Sequence, residues 1–214
     1  MTDTKAQLLD AARTVVGREG IAGTSARVVA AEAGVNQALV FYHFGTVIEL
    51  VAAACARAAE ASVASYREEL AAVGSFNELF AVGRTLHQRA QASGNVTVMA
   101  QLMAGAQREP LLAAAARHAM EAWNREVEVA VRRVLTDSPL LDLTDPAGLA
   151  RAIGAAFIGL ELYEGVDAEG AGSALATLDQ LGVLVEVLDD LGPVARRAVR
   201  ARLRRGGKER SAAR

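Results

Sequence analysis

Apolar residues recur at spacings of three and four along almost the whole chain, and no segment sustains an alternation of apolar and polar residues. Spacings of three and four place apolar side chains on one face of a helix, whereas strands need a period of two. Only four of the 214 residues are proline, so long helices are permitted. Much of the 52% hydrophobic content is alanine, which favours helices packed through small side chains. The sequence therefore predicts an all-α fold.

Residues that cap or break helices divide this pattern into nine predicted helices. Thr24 or Ser25, Asn36 and Thr46 have side chains that accept hydrogen bonds at helix N-termini. Glycine and proline clusters mark most of the remaining breaks. The predicted helices cover about residues 4–18, 26–33, 37–44, 47–72, 76–92, 96–107, 110–135, 146–164 and 171–191.

The segment from residue 24 to residue 44, TSARVVAAEAGVNQALVFYHF, predicts two short helices joined by a tight turn at Gly34. Small and apolar residues, among them Ala30, Val35 and Val40, stand where such helices would touch. A helix, a glycine turn and a second short helix with polar and aromatic groups form the geometry that enters a DNA major groove. The other interpretation is a plain helical hairpin whose aromatic residues are core. We favour a DNA-binding helix-turn-helix.

Side chains on the outward face of the third helix are candidates for DNA contacts. Gln37 can donate to and accept from a base edge, and Ala38 or Leu39 can meet a thymine methyl group. Aromatic and hydroxyl groups near the helix ends, together with one arginine, suit the phosphate backbone. The candidate DNA-binding residues are Thr24, Arg27, Asn36, Gln37, Ala38, Leu39, Phe41, Tyr42, His43 and Thr46.

The charge distribution argues against a strongly basic DNA-binding head. The whole chain has a formal net charge of −2, and residues 1–50 hold four basic and five acidic groups. Residues 196–214 hold eight arginines and one lysine against the single acid Glu209. This basic tail is either a solvated terminus or a contact to DNA or another anion without sequence preference.

Residues 4–50 resemble the DNA-binding head of the TetR family of transcriptional regulators. The residues that carry the resemblance are Ala11, Ala12, Gly20, Thr24, Val29, Ala30, Ala33, Gly34, Val35, Phe41, His43, Phe44 and Leu50. The resemblance covers about a quarter of the chain, and the other helices agree with the family in number, length and order. It implies an Ω-shaped homodimer of nine or ten helices, a ligand cavity in the body, and repression that ligand releases.

Two positions depart from the pattern of that family. Where the family usually has a lysine just inside the fourth helix, this chain has Val47, and the usual tyrosine of the third helix is Phe41. The first change removes a lysine that contacts phosphate in the family, and the second removes a hydroxyl group. They predict weaker electrostatic anchoring and a shallower salt dependence of DNA binding than is typical of the family.

A ligand pocket needs an apolar lining with a few polar groups, and the fourth to seventh helices supply both. The candidate ligand-binding residues are Tyr66, Phe80, Arg84, His87, Met99, Met103, Trp123 and Asn124. For each of them ordinary core packing remains an open alternative. We expect His87 and His118 to be surface or hydrogen-bonded histidines and expect no metal site, because neither has further ligands at suitable spacing.

The predicted eighth and ninth helices are candidates for a subunit interface. The eighth has almost no polar face between residues 152 and 162, and Gly154 and Gly159 permit close helix approach. Helices this apolar are buried either inside the body or across a two-fold axis. We favour the two-fold, in which the helix pair forms a four-helix bundle with its copy.

Several classes of protein find no support in the sequence. No phosphate-binding loop, zinc-protease motif or nucleophile elbow is present, so we expect neither an enzyme nor a cofactor. The single cysteine, Cys55, forms no internal disulfide, which indicates a reducing compartment. The longest apolar stretches are shorter than the about 20 residues that a helix needs to span a bilayer. The N-terminus also lacks a signal-peptide pattern. We expect a cytoplasmic protein without a membrane partner.

These observations predict a ligand-responsive, DNA-binding transcriptional regulator. It would be a repressor that binds a near-palindromic double-stranded DNA operator as a homodimer and is released by a small apolar effector. The alternative is a helical ligand-binding or scaffolding protein whose head no longer reads DNA. The expected parts are a helix-turn-helix domain at 1–46, a ligand-binding and dimerisation domain at 47–195, and a basic tail at 196–214.

Overall fold

The computed structural model of the chain describes residues 3–136, 138–142, 144–189, 191–192, 194–195, 197–198 and 201. Nine α-helices and one short 3-10 helix, Pro139–Asp142, occur in these residues, with no strand. The α-helices are α1 Thr4–Gly23, α2 Ala26–Ala33, α3 Ala38–Phe44, α4 Val47–Ala72, α5 Phe76–Ser93, α6 Asn95–Gly105, α7 Pro110–Leu135, α8 Pro146–Glu164 and α9 Ala168–Asp189. The predicted all-α fold is confirmed. Apart from residues 197, 198 and 201, the basic tail lies outside the described residues.

Most helix ends lie within two residues of their predicted positions, and the exceptions have local causes. Helix α1 runs on to Gly23 across a break at Gly20, whose φ of 73° only glycine adopts readily. Helix α9 begins three residues earlier than predicted, because Asp167 caps it by accepting a hydrogen bond from the backbone N–H of Gly170 at 2.9 Å.

No single described helix is long and apolar enough to span a membrane, and α3 with α4 meets those two criteria only as a pair bent by 67°.

The chain forms two compact units, one of residues 1–65 and 88–122 and the other of residues 66–87 and 123–214. The first unit therefore includes the helix-turn-helix, most of α4, and α6. The predicted boundary after residue 46 does not coincide with a packing boundary, because Leu50 and Ala54 of α4 complete the core of the head. A functional division into head, body and tail stays a prediction.

The core of the first unit consists of two apolar clusters. The head cluster joins α1, α2, α3 and the start of α4, and its members are Leu8, Ala11, Ala12, Val15, Ala26, Val29, Ala30, Val40, Leu50 and Ala54. The second cluster includes Val16, Val51, Cys55, Val98, Leu102, Leu112, Ala115 and Ala116. Val29 and Val40 are fully buried, so the predicted contacts between α2 and α3 are confirmed.

The core of the second unit joins the end of α4 with α5, α7 and α8. Its buried members include Leu70, Phe76, Leu86, Val127 and Val131. The only tryptophan, Trp123, packs edge-on against Tyr66 with ring centroids 6.4 Å apart and lies 5.7 Å from the Phe157 ring. Trp123 and Phe157 also line the cavity described below.

Candidate nucleic-acid interface and ligand cavity

The turn between α2 and α3 has the geometry that its sequence predicts. Ser25 accepts a hydrogen bond from the N–H of Val28 at 3.3 Å and so starts α2. Gly34 ends the helix with φ 66° and ψ 31°, a left-handed conformation that strains residues with a Cβ atom. The backbone N–H of Val35 donates to the carbonyl of Ala30 at 3.0 Å, which closes the turn. Helix α3 is thereby held at one orientation on α2.

Helix α3 presents a polar and aromatic surface to solvent. Gln37 and Ala38 are exposed, and Phe41 and Tyr42 have relative exposures of 49% and 81%. His43 is half-buried, with its ring 5.0 Å from that of Tyr42. Leu39 was expected to face outward, but it is half-buried because it packs against the head cluster. The surface available for base contacts is therefore formed by Gln37, Ala38, Phe41 and Tyr42.

Three of the predicted DNA contacts also serve as helix caps. Asn36 accepts a hydrogen bond from the N–H of Ala38 at 2.8 Å, which leaves its amide N–H groups available. The hydroxyl of Thr24 donates to the carbonyl of Gly20 at 2.8 Å, and that of Thr46 donates to Glu49 at 2.7 Å. Both threonine protons are therefore engaged, and a phosphate would have to compete for them.

Most basic side chains of the head already have partners. Arg18 lies 3.0 Å from both Glu19 and Glu32, and these carboxylates, Glu32 foremost, raise the pKa of its guanidinium. Lys5 lies over the ring of Phe44, 5.7 Å from its centroid. Arg27 is exposed and has no ion pair or hydrogen bond within the described part of the chain. It is the cation of the head best placed to contact phosphate.

The second unit contains a cavity of about 390 Å³ between α5, α7, α8 and α9. Its walls are mostly apolar, and this volume lies within the range of small-molecule sites. Four of the predicted ligand-binding residues line it, namely Phe80, Arg84, His87 and Trp123. Phe157 and Ala156 of α8 form the facing wall. The cavity therefore offers an apolar interior with two basic side chains on α5.

The other four predicted ligand-binding residues do not line this cavity. Tyr66 is buried in the core behind Trp123, and the Oδ1 atom of Asn124 is buried close to Gly154 without a hydrogen-bond partner among the described residues. Met99 and Met103 are both on α6 and pack against the second cluster of the first unit. Their apolar pattern identified them as inward-facing but could not show which core α6 joins.

Two acidic residues that the sequence analysis did not single out surround His87. Its Nδ1 atom lies 2.7 Å from Oε1 of Glu161, and its Nε2 atom lies 3.1 Å from Oε2 of Glu164. His87 and Glu161 are buried, with relative exposures of 8% and 5%. His118 is exposed and pairs with Glu60 at 2.8 Å. Both histidines are thus surface or hydrogen-bonded residues, as predicted.

The buried Cys55 thiol is poorly suited to nucleophilic chemistry. It lies in the second cluster of the first unit, with a relative exposure of 3%. Burial raises the pKa of its thiol from 9.0 to about 11, because desolvation disfavours the thiolate. At neutral pH the side chain is therefore a small apolar group of the core.

An apolar surface remains exposed on α8 and α9. Leu162 and Tyr163 of α8 have relative exposures of 38% and 48%, and Val183 and Val187 of α9 have 54% and 57%. A Cβ atom added to Gly159 would meet no other atom within 4 Å, so this glycine faces open space. One added to Gly154 would lie only 2.6 Å from Oδ1 of Asn124. Gly154 thus serves packing within the unit, whereas Gly159 does not.

Comparison with known proteins agrees with this description. Residues 8–54 match the family described as bacterial regulatory proteins, tetR family. A TetR-family transcriptional regulator from Rhodococcus sp. is 23% identical, with a TM-score of 0.70, over 86% of this chain and 99% of that one. The multidrug binding protein EbrR, solved with imidazole, is 29% identical, with a TM-score of 0.60, over 83% and 96%.

A further structural relative is the fatty acid degradation regulator FadR from Bacillus halodurans, which is 14% identical with a TM-score of 0.65. The alignment covers 85% of this chain and 95% of FadR. No curated protein matches the chain in sequence. Residues 8–54 thus match the DNA-binding head of the TetR family, and the described helices share the fold of solved TetR-family transcriptional regulators. These two findings support a DNA-binding regulator.

Proposed function

We propose that this protein is a repressor that binds a near-palindromic operator as a homodimer and releases it when a small apolar effector enters the cavity. The observation that carries the DNA-binding role is the exposed surface of α3, where Gln37, Phe41 and Tyr42 stand on a helix fixed by the Gly34 turn. Residues 1–46 read DNA in this proposal, and residues 47–195 bind the effector and the second subunit.

Sequence reading and backbone anchoring involve different residues in this proposal. Gln37, which immediately precedes α3, is exposed where an amide can pair with a base edge in the major groove. Arg27 at the start of α2 contacts phosphate, since it has no partner within the described residues. A dimer would place two copies of α3 in successive major grooves, about 34–36 Å apart.

The cavity supports the proposed effector class. Its apolar walls and volume of about 390 Å³ suit a small apolar molecule. EbrR, a structural relative, is a multidrug binding protein, which supports a small-molecule ligand for this chain as well. Residues 47–65 of α4 belong to the first unit and residues 66–72 to the second, which makes α4 the segment through which occupancy of the cavity can reach the head. Release requires a difference in affinity between the two states, commonly about 1–3 kcal/mol.

In a second candidate function, the protein binds the effector but does not bind an operator. Val47 is half-buried and packs against both clusters of the first unit, so it cannot replace the phosphate contact of a lysine. Residues 1–50 also hold five acidic groups against four basic ones. These observations favour a ligand-binding or scaffolding protein whose head has lost DNA recognition.

Selection of bound sequences from a random pool of double-stranded DNA, with purified protein at moderate salt, separates the two functions. We expect enrichment of a near-palindrome whose half-sites are one helical turn apart, because two α3 helices would read them together. Absence of enrichment at low salt, with and without cavity ligands, would support the second function instead.

Replacing Gly159 with leucine is expected to convert the homodimer to monomers without unfolding the chain. The added side chain meets open space in a single chain but would fill the proposed α8–α9 interface. Leucine also has a higher helix propensity than glycine. Light scattering after size-exclusion chromatography measures the mass, and Ala61→Leu at an exposed position of α4 is the matched control. A dimeric Gly159→Leu variant would place the interface elsewhere.

A further inference from the structure

The side chains of His87, Glu161 and Glu164 form a cluster in the second unit that the proposed repressor function does not use. One ligand atom from each residue can be chosen so that all three lie within 4.8 Å of one another. His87 is on α5, whereas the two glutamates are one turn apart on α8. This His87 cluster therefore ties two helices together at the wall of the cavity.

Burial makes the ionised side chains of this cluster costly in free energy. Desolvating ionised side chains is costly unless opposite charge compensates them, and both His87 and Glu161 are more than nine-tenths buried. A cation held between the imidazole and the carboxylates would offset part of this cost.

We propose that the His87 cluster binds a divalent transition-metal ion of the Zn²⁺ type. In this proposal Nε2 of His87 and the Glu164 carboxylate are the direct ligands, and Nδ1 of His87, 2.7 Å from Oε1 of Glu161, carries the proton that it donates to that carboxylate. A carboxylate that holds the far nitrogen of a ligating histidine is a recurrent arrangement in metal sites, because it fixes the tautomer and orients the ring. Water or a donor atom of a ligand in the cavity completes the coordination.

The ligand types determine which ions fit. Imidazole favours zinc, cobalt and nickel, whereas Mg²⁺ and Ca²⁺ prefer sites made of oxygen atoms alone. Zinc bonds to nitrogen and oxygen are about 2.0–2.2 Å long, so two ligands of one ion lie at most about 4.4 Å apart. The Nε2 atom of His87 and Oε2 of Glu164 are 3.1 Å apart, which satisfies this limit without moving either backbone. The proposal does not rest on DNA binding or on an organic effector.

The test is a calorimetric titration of Zn²⁺ into the full-length protein, prepared metal-free and without a histidine tag. We expect one ion per chain, a raised unfolding temperature, and no comparable response to Mg²⁺. His87→Gln is expected to abolish saturable binding, and Glu164→Gln and Glu161→Gln to weaken it by at least about tenfold, as loss of ligands or their orienting partners does. His118→Gln, which removes the exposed His118–Glu60 pair, is the matched control and should bind as wild type does.

Each outcome of these titrations either supports the proposed metal site or overturns it, provided that the variants are folded. Circular dichroism of each metal-free variant shows whether it is folded, and Glu164→Gln is the safest variant because its side chain is only partly buried. No saturable binding by wild type at Zn²⁺ concentrations up to about 1 mM overturns the proposal. Binding that persists in a folded His87→Gln or Glu164→Gln variant also overturns it, since the ion would then be held elsewhere.

Discussion

Replacing Gln37 with alanine is expected to reduce discrimination between the selected operator and a scrambled one by about 1–3 kcal/mol per half-site, the value of a good side-chain contact to a base. Binding to the scrambled sequence should change little. The reason is that Gln37 is exposed at the start of α3 and offers both a donor and an acceptor to a base edge. Fluorescence anisotropy with both DNA duplexes measures the difference.

Arg27→Ala is the contrasting variant in the same experiment. Its guanidinium is exposed at the start of α2 and is expected to contact phosphate, so its loss should weaken both duplexes alike and reduce the salt slope by about one. Arg18→Ala serves as the control, because Arg18 already pairs with Glu19 and Glu32. If both Gln37→Ala and Arg27→Ala bind the two duplexes as wild type does, α3 and the start of α2 are not the DNA-binding surface.

Replacing Gly83 with leucine is expected to block the cavity while leaving DNA binding intact. Gly83 lies in the wall of the cavity on α5, and a Cβ atom added there meets no other atom within 4 Å. The larger side chain therefore projects into space that a ligand would occupy. A glycine inside a helix is less favourable than other residues by about 0.5–1 kcal/mol, so the variant should also unfold at a higher temperature.

The neutral apolar dye N-phenyl-1-naphthylamine provides the readout, together with the fluorescence of Trp123, which is the only tryptophan and lies in the cavity wall. We expect the dye to quench Trp123 in wild type and the Gly83→Leu variant to lose at least about tenfold in affinity, as filling a well-formed pocket removes most of its contact area. Thr85→Leu, at an exposed position of the same helix, is the control. Undiminished dye binding by Gly83→Leu would place the ligand site outside this cavity.

The helix-turn-helix was predictable from the sequence because its determinants are local. A capping side chain such as Ser25 acts on a backbone N–H three residues away, and Gly34 ends α2 through its own φ angle. Apolar spacing likewise identified the buried faces of α2 and α3, since that spacing is a property of one helix. Leu39 was the exception, because α3 is short and its side chain spans the edge between solvent and the head cluster.

The cavity and the His87 cluster were only partly predictable. The sequence identified Phe80, Arg84, His87 and Trp123 as candidates because they combine apolar and polar groups in the body. It could not show that Met99 and Met103 pack in the other unit, because each methionine carries the same pattern whichever core it joins.

The amino-acid sequence by itself determined the all-α class, most helix boundaries and the shape of the turn between α2 and α3, because hydrogen bonds and side-chain periods within a few residues set them. Only the tertiary structure decided which helix faces enclose the cavity and which charged groups meet inside the body. His87 and Glu161 are 74 residues apart in the chain, yet their side chains lie 2.7 Å apart. Contacts of this kind depend on how whole helices pack, and no local pattern in the sequence records that.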